Sequence, residues 1–249
     1  MALSFFTIGF LQTGYRYGGT FQGAVICEDG IVIASDSRTT FMDGAGRAFG
    51  YVDGMPKVFV DRGAAVAVAG LSSLEGELFS SFVRRNEYLL ARPVNEILFG
   101  FLQWLPFQNT EAVGLISAGF IDGKPMICSK SPIVPQKCLD SGLISSKGSP
   151  LLRDWLLKLG HPPKVREAAA ALKSAIEEAA RTDRGVGGPI SLLQITENGA
   201  PQWLENPLTD NGLTLICDLV RQHRVGIRRI MATGSQQDLD RHLDAACPK

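Results

Sequence analysis

Histidine is scarce in this chain. The three present, His161, His223 and His242, lie far apart in polar or proline-rich stretches, so no His-based triad or His-centred metal site is expected. Excess charge is missing as well. Twenty-five basic residues balance twenty-five acidic ones, so nothing draws the chain to a phosphate backbone or an anionic membrane, and neither nucleic acid nor a membrane is an expected partner. No C-x-x-C pair occurs among Cys27, Cys128, Cys138, Cys217 and Cys247, which argues against zinc and dithiol chemistry. Free thiols in a reducing compartment are the expectation, with the cytoplasm as the expected location. No run is long and apolar enough to span a bilayer. The opening MALSFFTIGFLQTG is apolar, but no Lys or Arg precedes it and no small-x-small site closes it, unlike a secretory signal. Walker A and G-x-S-x-G sequences, internal repeats and low-complexity tracts are all lacking.

What is present is a chain of 249 residues, 45% hydrophobic, long enough to bury one large core as a single domain. Gly23 to Cys27 and Ile31 to Ser35 are short, Val- and Ile-rich runs separated by Glu28-Asp29-Gly30, which predicts a hairpin. Lys57 to Asp61 and Ala64 to Ala69, joined at Arg62-Gly63, predict a second. The Gly-rich stretch Phe41 to Pro56 between them reads as an exposed loop. From Ser72 the apolar residues take a longer period, predicting a helix to about Ala91 and another after Pro93. Strands return at Ala112 to Ile121 and Pro125 to Cys128. A helical pair follows at Leu151 to Leu159 and Lys164 to Arg181, then strands at Ile190 to Thr196 and Gln202 to Leu204. Strands, two helices, strands, two helices, strands is the order expected of an α+β protein. Its predicted form is a four-layer αββα sandwich, two stacked antiparallel sheets flanked by helix pairs.

The chemistry suggested by these residues starts at Gly19-Thr20. An amino-terminal threonine carries a nucleophile and a base on one residue, because its α-amine has a pKa of about 7.7 to 8.0 and takes the hydroxyl proton near neutrality. Such a residue needs a nearby cation, a carboxylate to hold that cation, and backbone N–H groups for the oxyanion. Read blandly, Thr20 is a strand-edge hydroxyl, Lys57 a solvated strand end, and Asp36 and Arg38 a surface ion pair.

Five segments in order, namely Gly19-Thr20, ASDSRTT (34–40), MPKVF (55–59), AVAGLSS (67–73) and TDRGVGG (182–188), resemble the catalytic β subunits of the proteasome and their bacterial relatives. Those are N-terminal-nucleophile hydrolases. Sixteen residues separate Thr20 from Asp36, the family's interval, and the likeness runs from Thr20 to about Leu204. The resemblance implies that residues 1–19 are a propeptide cut at Gly19, leaving residues 20–249 as one hydrolase domain. It implies Thr20 as nucleophile, Lys57 as the positive field, Asp36 as its partner, Gly70 as oxyanion donor and Asp183 as an orienting carboxylate. Arg38 would be structural support, Thr40 a contact to bound peptide, and Val68 the base of the specificity pocket. It further implies a threonine peptidase in homo-oligomeric stacked rings acting on unfolded polypeptide, with an ATP-dependent unfoldase as a possible partner and no cofactor or metal.

Three positions depart from the family pattern. Val52 stands where its spacing puts lysine, so matching Lys57 implies five extra loop residues. Val186 stands where it has a serine, and a second serine falls on Lys147 or shifts to Ser146 or Ser149. Loss of these serines bears on whether the site is active. The alternatives are a non-catalytic ring or scaffold subunit that keeps its leader, and a small-amide hydrolase with the same nucleophile.

Overall fold

The computed structural model describes residues 16–18, 20–42, 48–70, 73–74, 77–78, 82–83, 85–102, 113–131, 134–146 and 150–205. Its strands are β1 (Arg16–Gly18), β2 (Gln22–Cys27), β3 (Gly30–Ser35), β4 (Thr39–Met42), β5 (Ala48–Val52), β6 (Val58–Asp61), β7 (Ala64–Gly70), β8 (Ser73–Leu74) and β9 (Glu77–Leu78). After helix α1 (Val94–Leu102) come β10 (Val113–Ile121), β11 (Lys124–Lys130), β12 (Lys137–Leu139) and β13 (Leu143–Ser145). Helices α2 (Pro150–Leu159) and α3 (Val165–Thr182) follow, then β14 (Ser191–Ile195) and β15 (Gln202–Glu205).

Two five-stranded antiparallel sheets form the body, in the orders β13-β2-β3-β14-β15 and β12-β11-β10-β7-β6. Tight hairpins set their registers. Cys27 pairs with Gly30 around Glu28-Asp29, and Asp61 with Ala64 around Arg62-Gly63. Arg62 and Gly63 both have positive φ, at 45° and 92°, the backbone twist that matches a two-residue hairpin loop to its strands.

Period-two alternation then assigns each side chain to a layer. In β2, Ala24 and Ile26 face the other sheet while Val25 and Cys27 face α3; in β7, Ala65 and Ala67 face the first sheet while Val66 and Val68 face α1. The result is three apolar layers, one between the sheets and one beneath the helices on either side. Helix α3 buries Val165, Ala168, Leu172, Ala175 and Ile176, one stripe of a 3.6-residue period. Its first turn is held by Asp29 Oδ1, which accepts the Val165 N–H at 2.8 Å. The architecture is α+β with sheet packed on sheet, as the order of elements predicts.

Several local expectations are corrected. The expected loop Phe41 to Pro56 contains β5, which pairs with β4 because Thr39, Thr40, Phe41 and Val52, Tyr51, Gly50 lie opposite one another. Where one long helix was expected between residues 72 and 91, the described residues hold the β8–β9 ladder, helical residues at 82, 83 and 85, and a 3₁₀ turn at Glu87–Leu89. Between Cys128 and Leu151, where no element was expected, the chain supplies β12 and β13 at the two sheet edges. Residues 206–249 lie outside the described residues. No helix among the described residues is long and apolar enough to cross a membrane.

The cysteine expectation is also corrected, since Cys128 and Cys138 face each other across β11 and β12 and are joined by a disulfide. Antiparallel register, invisible in the spacing, brings them together, and the bond removes the ground for inferring a reducing compartment from free thiols. Cys27 is a free thiol, pushed up to about 12 by burial, with Asp29 adding to the effect. Reducing the disulfide opens a short loop, with a sequence separation of 10, and is expected to cost about 2 to 3 kcal/mol at most. Urea unfolding with and without reductant measures it.

Candidate functional site

The ends of four segments converge beside the start of β2. Thr20 immediately precedes that strand's approach, Asp36 follows β3, Lys57 precedes β6, and Gly187-Gly188 lies between α3 and β14. All three polar side chains are buried: Thr20 is 4% exposed, Asp36 1% and Lys57 3%. The Lys57 ammonium donates to Thr20 Oγ1 at 2.6 Å, to Asp36 Oδ1 at 3.1 Å and to the Arg38 carbonyl. Three N–H bonds thus meet three acceptors, which keeps a buried ammonium tolerable.

Asp36 is held as firmly. Its Oδ1 accepts the Phe21 N–H at 3.0 Å, and its Oδ2 accepts those of Gly187 at 2.9 Å and Arg38 at 3.2 Å. Burial pulls Lys57 below its ordinary value and pushes the Asp36 carboxyl above its own; in each case the opposite charge of the partner works against the shift. Chemically, the hydroxyl oxygen of Thr20 accepts a charge-assisted bond from the Lys57 ammonium. An arrangement of this kind stabilises negative charge developing on that oxygen.

Arg38 braces the surrounding turn. Its guanidinium forms two bonds to Asp53, at 2.7 and 2.9 Å, and lies 3.8 Å from the Tyr51 ring centroid. Beneath it, Ser37 N–H bonds the Gly187 carbonyl and Ser37 Oγ accepts the Gly54 N–H. Gly188 has φ +73°, and a Cβ there would sit 2.6 Å from Ser37 Oγ and 2.8 Å from Asp53 Cβ. Gly188→Ala is therefore expected to cost about 1 to 3 kcal/mol in strain and overpacking, read as a lower urea midpoint with unchanged slope.

No model of a known protein family matches the chain, and no curated protein does. Solved structures do. A mutant of Anbu from Hyphomicrobium sp. strain MC1 superposes with a TM-score of 0.58 at 15% identity, covering 87% of this chain and 100% of that one. A second structure of Anbu from the same organism gives 0.52 at 16% identity, covering 86% and 100%. The fold is like that of Anbu. The expected membership among proteasome catalytic β subunits is corrected accordingly, since no family match supports it and the likeness to Anbu, at this identity, is one of fold alone. Roles in this site rest on the chain's own geometry rather than on Anbu.

The remaining sequence-derived positions are distributed as follows. Gly70 ends β7 opposite Val113, with φ +99°. Val68 is buried in the apolar layer beneath α1. Thr40, 5% exposed, lies in β4 opposite Gly18 of β1, and its Oγ1 has no hydrogen-bond partner among the described residues. Asp183 closes α3, its Oδ1 accepting the Gly185 N–H at 2.8 Å. Val186 is fully buried in the layer under α3. Gly19 and Lys147 lie outside the described residues. Ser146, one of the alternatives for a shifted serine, is fastened to the Thr20 segment: its Oγ accepts the Gln22 N–H at 3.1 Å and donates to the Thr20 carbonyl at 3.5 Å.

Sequence reasoning missed Asp53, which a Gly-rich loop gave no reason to single out, and Gln22. The signal for Gln22 was available, as an uncharged polar residue opening the inward face of an otherwise apolar, alternating strand.

Proposed function

We propose that this protein is an N-terminal-nucleophile hydrolase of the threonine type, acting on peptide bonds. One observation carries the reading: the buried Lys57 ammonium lies 2.6 Å from Thr20 Oγ1. In the first step Thr20 Oγ attacks the Gly19 carbonyl carbon and its proton passes to the Thr20 nitrogen. The C–N bond breaks, and an ester joins residues 1–19 to the hydroxyl. Water hydrolyses that ester, giving a carboxylate on Gly19, a restored hydroxyl and a free α-amine on Thr20.

In turnover the α-amine accepts the hydroxyl proton as Oγ attacks a peptide carbonyl, and then delivers it to the departing amine. A second water, deprotonated by the same amine, releases the acyl group. Lys57 stabilises the oxygen throughout, Asp36 holds Lys57, and the Gly70 N–H serves the oxyanion. Asp183 is assigned an orienting role near the amine, and Val68 a place behind the pocket that receives the substrate side chain.

The backbone pairing of β1 with β4, Gly18 opposite Thr40, supports a mode of peptide binding. Once the leader departs, the edge of β4 is free to accept an extended substrate as an added strand, with the Thr40 hydroxyl beside it. On this reading the subunits assemble into a ring that encloses the threonines and admits unfolded chains, with an ATP-dependent unfoldase to feed it.

One observation favours a second reading, a scaffold subunit that keeps its leader: β1 is itself built into the fold. Intact mass and labelling with a peptide vinyl sulfone decide between them. A purified protein that loses the mass of residues 1–19 and takes one label per chain supports the hydrolase. An uncut, unlabelled chain supports the scaffold.

A further inference from the structure

Gln22 is 1% exposed on a face where an apolar residue would pack better. By strand alternation it shares its side of β2 with Ala24 and Ile26, both in the layer between the sheets. Its Nε2 crosses that layer and donates to the Gly114 carbonyl at 2.9 Å. Its Oε1 has no partner among the described residues. A half-satisfied buried amide costs stability relative to an apolar side chain of the same shape, so the stability of the core does not account for a glutamine here.

The position does. Gly114 lies opposite Ala69, and the next pair along that ladder is Val113 with Gly70. On the other side, Gln22 lies two residues from Thr20, and its backbone is clasped to Ser146 by N–H bonds in both directions, at 3.1 and 2.9 Å. One side chain thus joins the segment bearing the nucleophile, in the first sheet, to the strand pair bearing the Gly70 N–H, in the second. Nearby, the layer between the sheets is lined by Ala24, Ala67 and Ile116, whose contacts are non-directional and set no distance to within a few tenths of an ångström.

We infer that Gln22 is a positioning residue, its bond to the Gly114 carbonyl fixing the separation between Thr20 Oγ1 and the Gly70 N–H across the two sheets. The inference rests on the hydrolase reading above. A positioning bond acts on the transition state, in which the attacking oxygen and the oxyanion donor must be in register together, and much less on the ground-state fit of the peptide.

The test compares wild type with Gln22→Leu and Gln22→Met as full chains, measuring kcat and KM on a fluorogenic peptide, the rate of labelling by a peptide vinyl sulfone, and the thermal midpoint. Either variant is expected to keep or raise the midpoint, to leave KM within about twofold, and to lose about 10- to 100-fold in kcat and labelling rate. Two variants guard against one that fails to fold. If wild type is labelled and turns over while a folded variant matches its kcat, this inference alone is overturned. If kcat falls only in proportion to folded protein, the role is structural and the inference is likewise overturned. If wild type is neither cut nor labelled, the hydrolase reading fails and takes the inference with it.

Discussion

Thr20→Ala is expected to leave a full-length chain with residues 1–19 attached and to abolish peptide hydrolysis. On the proposed hydrolase reading, the loss follows from removing the atom that forms the acyl bond, in both the cut of the leader and the turnover of substrate. Deleting a nucleophile of this kind lowers the rate by at least about 10³-fold. Stability should fall modestly. The alanine deprives the buried Lys57 ammonium of one acceptor but leaves it Asp36 and the Arg38 carbonyl, a change worth about 1 to 3 kcal/mol. Intact mass, hydrolysis of a fluorogenic peptide and a urea melt together test this. A variant that is processed like wild type, or that hydrolyses peptide at the wild-type rate, places the nucleophile elsewhere.

Lys57→Met should act on the fold rather than on chemistry alone. It keeps the length of the side chain while stranding the Asp36 carboxylate, 1% exposed, without its counter-ion. Breaking a buried pair from one side costs about 3 to 5 kcal/mol, because the remaining charge stays buried. The pH dependence has a definite sign. Burial already raises Asp36 above 3.8, and losing Lys57 raises it further. Between the unfolded value and that raised folded value the folded state binds more protons, so the variant gains stability as pH falls through this window and loses it as pH rises. Adding Asp36→Asn to Lys57→Met removes the stranded charge, and the double variant should be more stable than the single one near neutrality. A single variant within about 1 kcal/mol of wild type at pH 7 would show that the pair contributes far less than its burial implies.

Much of this geometry was legible in the chain and some was not, for reasons that individual residues make plain. The hairpins at Glu28-Asp29 and Arg62-Gly63 could be read because turn chemistry is local, and α3 because its apolar stripe repeats with the helical period. The β8–β9 region was misread because a longer apolar period does not by itself distinguish a helix from short strands and turns. Lys57 sat at a strand start like any solvated lysine. Its spacing from Asp36 even differed from the interval expected, and only the folded chain placed its ammonium against Thr20. Cys128 and Cys138 carried no sign of pairing, since a disulfide across two strands depends on register.

The sequence alone determined the layer pattern, because alternation and period are properties of neighbouring residues and dictate which face each element must bury. Tertiary structure alone decided that Thr20, Asp36, Lys57 and Gln22 meet at one end of the stacked sheets. Contacts between residues 15 to more than 100 positions apart depend on register and sheet stacking, which many side chains set jointly and no single stretch of sequence encodes.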